Sequence, residues 1–78
     1  MDNIKNIKLL RVTRELTQIN VYMQTGIDQS TLSKYENSDT FPTTNNLLIL
    51  AKFYGTSLDY LMDLTDEEKP YPLKRNKK

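Results

Sequence analysis

Seventy-eight residues, 37% of them apolar and none a cysteine or histidine, make one domain at most and exclude a disulfide framework and the common zinc sites. A net charge of +1 does not by itself argue for nucleic acid, but its layout is uneven: six bases and five acids over 1–58, five acids and no base over 59–68, five bases and no acid over 69–78. No apolar run approaches a membrane span and Met1-Asp2-Asn3 lacks the layout of a secretory signal, so a cytoplasmic chain with no membrane partner is expected.

Asn3 can cap a first helix, in which Ile4, Ile7 and Leu10 recur as one apolar stripe while Lys5, Lys8 and Arg14 point elsewhere; the helix fades around Glu15. Thr17 has the hydroxyl to cap a short second helix with Val21 inward, and Gly26 stands where a left-handed residue ends it. Asp28 is the next capping residue, for a third helix from Gln29 to about Asn37. Leu32 and Tyr35 mark its buried side, with Gln29, Ser30, Ser33 and Lys34 on or near the opposite one. Asn37-Ser38-Asp39-Thr40 is turn chemistry, and Pro42 is awkward inside a helix. Thr43 or Thr44 caps a fourth helix that buries Leu47, Leu50, Ala51 and Tyr54 and ends at Gly55. Ser57 caps a fifth, with Leu58 and Leu61 inward. Nothing alternates long enough for a strand, so the fold class is all-α with five helices. Residues 1–66 form the domain, and 67–78 are a basic tail with no packing pattern, expected to be flexible.

Two short helices joined by a glycine-containing turn suit a helix-turn-helix, although many bundles contain such a corner. More specific is the run Leu16-Thr17-Gln18, Val21, Gly26 through Asn37, Pro42, Leu50-Ala51 and Ser57-Leu58-Asp59-Tyr60-Leu61. From about Ile4 to Leu64 the chain resembles the phage-repressor family of helix-turn-helix domains, comprising lambda repressor, Cro and the Xre-type regulators. The resemblance implies a five-helix, lambda-repressor-like domain that lays its third helix in the major groove of double-stranded DNA. Carried over residue by residue, it makes Gln29, Ser30, Ser33 and Lys34 the candidate base readers. Glutamine's donor and acceptor match adenine N6 and N7, and lysine can donate to guanine O6 and N7. It places Gln18, Thr17, Asn37 and Thr31 at the DNA backbone, Gln18 at a helix start whose free N–H groups and dipole favour phosphate. Arg11 and Glu36 match a structural ion pair that ties helix one to the end of helix three. A transcriptional repressor follows, working as a homodimer on a pseudo-palindromic operator with reading helices about 34 Å apart. Tyr60, Met62 and Leu64 are the expected dimer surface.

Some residues depart from the family pattern. Tyr22 stands where alanine is usual between helices two and three, and must either splay them or swing outward. Ser38 replaces a glycine, so a left-handed turn there is strained. Asp28, Asp39 and the mutual cancellation of Lys34 and Glu36 imply a shallow salt dependence.

An enzyme is not expected: there is no histidine or cysteine, and no lysine in a nucleophile arrangement. The acids Asp59, Asp63, Asp66, Glu67 and Glu68 lack ligand-loop spacing, so no metal, cofactor or small-molecule substrate is expected. Two other readings stay open. The outer face of helix three could be ordinary solvated surface. The chain could also be a protein-interaction module such as an antitoxin or adaptor, using Tyr22, Phe41 and the basic tail rather than Gln29.

Overall fold

Five helices and no strand make up the described residues, 4–69, of this computed structural model. They are α1 (Asn6–Thr13), α2 (Gln18–Thr25), α3 (Gln29–Glu36), α4 (Thr44–Tyr54) and α5 (Leu58–Leu61). The all-helical, five-helix architecture is the one the sequence pattern predicts. Each helix contributes apolar positions to a single core: Ile7 and Leu10 of α1, Val21 of α2, Leu32 and Tyr35 of α3, four residues of α4, and Leu61 of α5. Ile4 and Ile27 fill the core from outside the helices. Ile7, Val21, Leu32, Leu50 and Leu61 are wholly enclosed, and each stabilises the fold by roughly 1.5–3 kcal/mol relative to exposure.

Three of the helix starts are side-chain capped, by Thr17, Thr43 and Ser57. Of the two threonines that could cap α4, it is the Thr43 hydroxyl that accepts from the Asn46 N–H. α1 departs from expectation at both ends. It begins at Asn6 with no side-chain cap; Asn3 lies outside the described residues. It ends at Thr13, short of Glu15, because Glu15 is left-handed at φ 58°. The Glu15 N–H donates to the Val12 carbonyl and the Leu16 N–H to that of Arg11, which satisfies two carbonyls the helix end would otherwise strand. The same turn closes α3 at Ser38 and α5 at Asp63, with φ 62° and 64°. A left-handed L-residue costs roughly 1–2 kcal/mol, offset in part by those bonds. At Ser38 the side chain helps further, its Oγ accepting from the Ile4 N–H at 3.3 Å.

Two polar side chains lock the bundle in ways the sequence analysis missed. The buried Asn6 amide donates to the Tyr60 carbonyl at 2.8 Å and to Asp63 at 3.4 Å, tying α1 to the end of α5. Arg14 donates to the Tyr54 carbonyl and lies over the Tyr54 ring, 5.3 Å from its centre. Glu67 and Glu68, placed in the tail by composition, are tied into the domain. The Ser57 hydroxyl donates to the Glu67 carbonyl and the Ser57 N–H to that of Glu68. The rest of the tail, from Pro70, lies outside the described residues.

Burial pushes the Tyr54 hydroxyl up to about 12, with the Glu36 charge adding to the shift and Arg11 and Arg14 opposing it. The folded state therefore holds this proton more tightly than the unfolded chain does. The resulting stability is complete below the unfolded value near 10 and is lost as pH rises through about 12. Urea unfolding of wild type and Tyr54→Phe at about pH 9 and pH 11.5 should show the wild-type advantage shrinking by about 2 kcal/mol. A difference that stays constant would refute the shift.

Candidate nucleic-acid interface

The corner between α2 and α3 is assembled from local chemistry. Thr17 Oγ1 accepts from the Asn20 N–H at 3.0 Å, and Asn20 Oδ1 accepts from the Thr17 N–H at 2.9 Å. This is a reciprocal cap with asparagine in the place usually held by Glu or Gln. It spends the Thr17 N–H and leaves the hydroxyl proton for an outside acceptor. α2 ends at Gly26, left-handed at φ 80°, whose N–H donates to the Tyr22 carbonyl. No neighbour lies within 4 Å of a β-carbon placed there, so the backbone angle, not space, calls for glycine. The Thr25 hydroxyl donates to the Val21 carbonyl and accepts from the Ile27 N–H, stiffening the turn. Val21 and Ile27 anchor it to the core from below.

Asp28 occupies the cap position of α3, but its side chain makes no capping bond. It accepts the Ser30 hydroxyl proton instead, so the expected cap is corrected and Ser30 is turned back toward Asp28. Tyr22 swings outward: it is exposed, while its neighbour Val21 is buried in the core. Helix α2 contains no charged residue, and Ile19, Tyr22 and Met23 leave its outer side largely apolar.

On α3, Leu32 and Tyr35 face the core, and the Tyr35 hydroxyl accepts from the Asn46 amide at 2.7 Å. Gln29, Ser30 and Lys34 are exposed, and Thr31 and Ser33 are half-buried. The exposed Asn37 donates to Ser33 Oγ at 3.4 Å. A hydrogen-bonded line runs beneath this face. The Glu36 side chain, only 3% exposed, accepts two bonds from Arg11, Nε to Oε2 at 2.8 Å and Nη2 to Oε1 at 2.9 Å. Arg11 Nη1 donates to the Leu16 carbonyl. Glu36 Oε1 also accepts from Gln18 Nε2 at 3.1 Å, and Gln18 Oε1 accepts a long bond from Gln29 Nε2 at 3.5 Å. The bond to Glu36 raises the Arg11 pKa above its ordinary value, so this guanidinium stays charged.

Gln18, Gln29, Glu36 and Arg11 are thus joined in one network, while Ser30, Ser33 and Lys34 share only the helix. The Gln18–Glu36 bond was missed in the sequence analysis; the two residues stand at opposite ends of the α2–α3 pair, 18 positions apart, and no local spacing signals it. Over residues 17–40 the charges are Asp28, Lys34, Glu36 and Asp39. With Glu36 neutralised by Arg11, the face is not strongly positive.

The helix-turn-helix domain family profile matches residues 4–67. The chain belongs to this helix-turn-helix family. It is similar to an uncharacterized HTH-type transcriptional regulator, YobD, of Bacillus subtilis: 32% identical over 74 residues, 95% of this chain and 66% of the relative. It is also similar to the antitoxin PezA of Streptococcus pneumoniae serotype 4: 35% identical over 65 residues, 83% of this chain and 39% of that one. The chain spans less than two thirds of the length of these relatives. No solved structure matches it significantly. Within the matched residues, Gly26-Ile27-Asp28 is the turn that joins α2 to α3. Among the described residues no helix is long and apolar enough to cross a membrane, and no group of His, Cys, Asp and Glu could hold a metal ion.

Proposed function

We propose that this chain is a sequence-specific transcriptional regulator, a repressor of the phage-repressor type, that reads double-stranded DNA by laying α3 in the major groove. The observation that carries this reading is the posture of α3. Leu32 and Tyr35 hold one side in the core, while Gln29 and Lys34 stand exposed on the other, a rigid rod with polar tips suited to base edges. In this reading Gln29 pairs with adenine and Lys34 with guanine, and Ser33 and Ser30 contribute hydroxyls. Gln18, Thr17, Thr31 and Asn37 touch the DNA backbone and set the register without reading sequence. Two copies read the two halves of an operator, meeting through α5 and the residues after it, where Leu64 is 69% exposed. We assign no catalytic role, cofactor or small-molecule substrate, and place the regulator with its DNA in the cytoplasm.

The test is Gln29→Ala on a duplex selected by the wild-type chain from a random pool. Losing a bidentate contact of about 1–3 kcal/mol should weaken specific binding by roughly 5- to 150-fold and leave binding to random duplex intact. Equal retention of both would defeat the base-reading claim.

A second reading is favoured by one observation. Ile19, Tyr22 and Met23 are 52%, 44% and 73% exposed, and their i, i+3, i+4 spacing makes one apolar stripe on α2 of the kind that receives a protein partner. An antitoxin-like role uses that surface, and the similarity to an antitoxin supports it.

A further inference from the structure

We propose that Glu36 determines base specificity without touching DNA, because through Gln18 it dictates which end of the Gln29 amide faces the base. The inference rests on the reading of α3 as the base-reading helix.

A glutamine amide has two ends of nearly equal shape and opposite hydrogen-bonding character. Packing alone does not choose between them, but a carboxylate does, because it can only accept. The Glu36 oxygens accept the paired bonds from Arg11 at 2.8 and 2.9 Å, and the side chain sits almost wholly out of water. The Gln18 amide beside it must therefore present its NH2 end, and does so at 3.1 Å. That choice turns Gln18 Oε1 toward Gln29. An oxygen can only accept, so Gln29 must offer its own NH2 end, and Nε2 stands 3.5 Å away. The polarity of an internal ion pair is in this way passed across the corner, from α3 to α2 and back to α3.

The consequence lies at the outer edge of Gln29. One N–H and the Oε1 lone pairs remain for the groove, in a set order. Where Nε2 stands the base must offer an acceptor, and where Oε1 stands it must offer a donor. Adenine presents both on a single base, through N7 and N6. Guanine and thymine place an acceptor, O6 or O4, where the donor is needed. An amide free to turn over about its last bond could bring NH2 to that O6 or O4 and tolerate either base. Holding the amide in one order converts a general polar contact into a preference for adenine. A purely structural role for Glu36 predicts something different: lower stability with base preference untouched.

Two variants of the full-length chain test this. Glu36→Gln retains an oxygen for Arg11 but can show Gln18 either end of its amide. Gln18→Met removes the relay and leaves the Arg11–Glu36 pair in place. Gln29→Ala identifies the base pair that Gln29 reads, by selection from a random-sequence duplex pool. At that pair the wild type should prefer adenine by about tenfold or more, and both variants should reduce this to about threefold or less. Preferences at the other base pairs should be unchanged. If Gln29→Ala alters preference at no position, the base-reading function itself fails. If it collapses one position while Gln18→Met and Glu36→Gln keep full preference there, base reading stands and the relay is overturned. A uniform loss of affinity with base preference intact also overturns it. Should Glu36→Gln lose its helical circular dichroism, Gln18→Met decides alone.

Discussion

Arg11→Ala should lower the free energy of unfolding by about 3–5 kcal/mol, the cost of stranding a buried charge. The Glu36 side chain is 3% exposed and that of Arg11 15%, so solvent screening offers little relief. The two ends of the pair are not equivalent. Without Arg11, the carboxylate keeps the Gln18 amide. Without Glu36, the guanidinium keeps the Leu16 carbonyl and has more access to water. Arg11→Ala should therefore destabilise more than Glu36→Ala. Replacing both partners with apolar residues of similar volume should recover most of the loss, because neither charge is then stranded. For a domain whose total stability is of order 5–15 kcal/mol, the single change lowers Tm by roughly 15–30 °C. Urea unfolding at pH 7 followed by circular dichroism measures it. A loss below about 1 kcal/mol would mean that the pair behaves like an exposed surface bridge.

Leu32→Ala should cost about 2–5 kcal/mol, from lost burial plus the cavity left behind. Leu32 is 1% exposed and lies on the inner side of α3, directly behind the residues assigned to base edges. Lys34→Ala, two positions away on the outer side, should change stability by no more than about 0.5 kcal/mol. The contrast between neighbours on one helix tests the orientation of α3, which the DNA-reading proposal requires. Thermal unfolding of the two variants side by side provides it. Similar losses in both would mean that Lys34 is not presented outward.

Features written into neighbouring residues were legible from the chain. The threonine and serine caps act on an N–H three residues away, the apolar stripes repeat within one turn, and Gly26 and Gly55 mark the left-handed ends of α2 and α4. The other three left-handed ends were harder to read. Glu15 and Asp63 carry no glycine signal, and only Ser38 stood out as a departure from a pattern. Asp28 was misread as a side-chain cap because its carboxylate can accept the Ser30 hydroxyl just as locally, and spacing does not choose between two short-range partners. Tyr22 had two possible postures on sequence grounds, and the fold takes the outward one, with Val21 rather than Tyr22 in the core.

Five helices, their inward faces and the corner that joins α2 to α3 could be read along the chain, because each depends on residues within one or two helical turns. That Asn6 clasps the end of α5, that Glu67 and Glu68 close back on Ser57, and that Glu36 reaches Gln18 emerges from the packed fold alone. Those contacts span 10 to 57 positions of chain. A hydrogen bond over such a distance exists only after the apolar faces have packed and brought its two ends together.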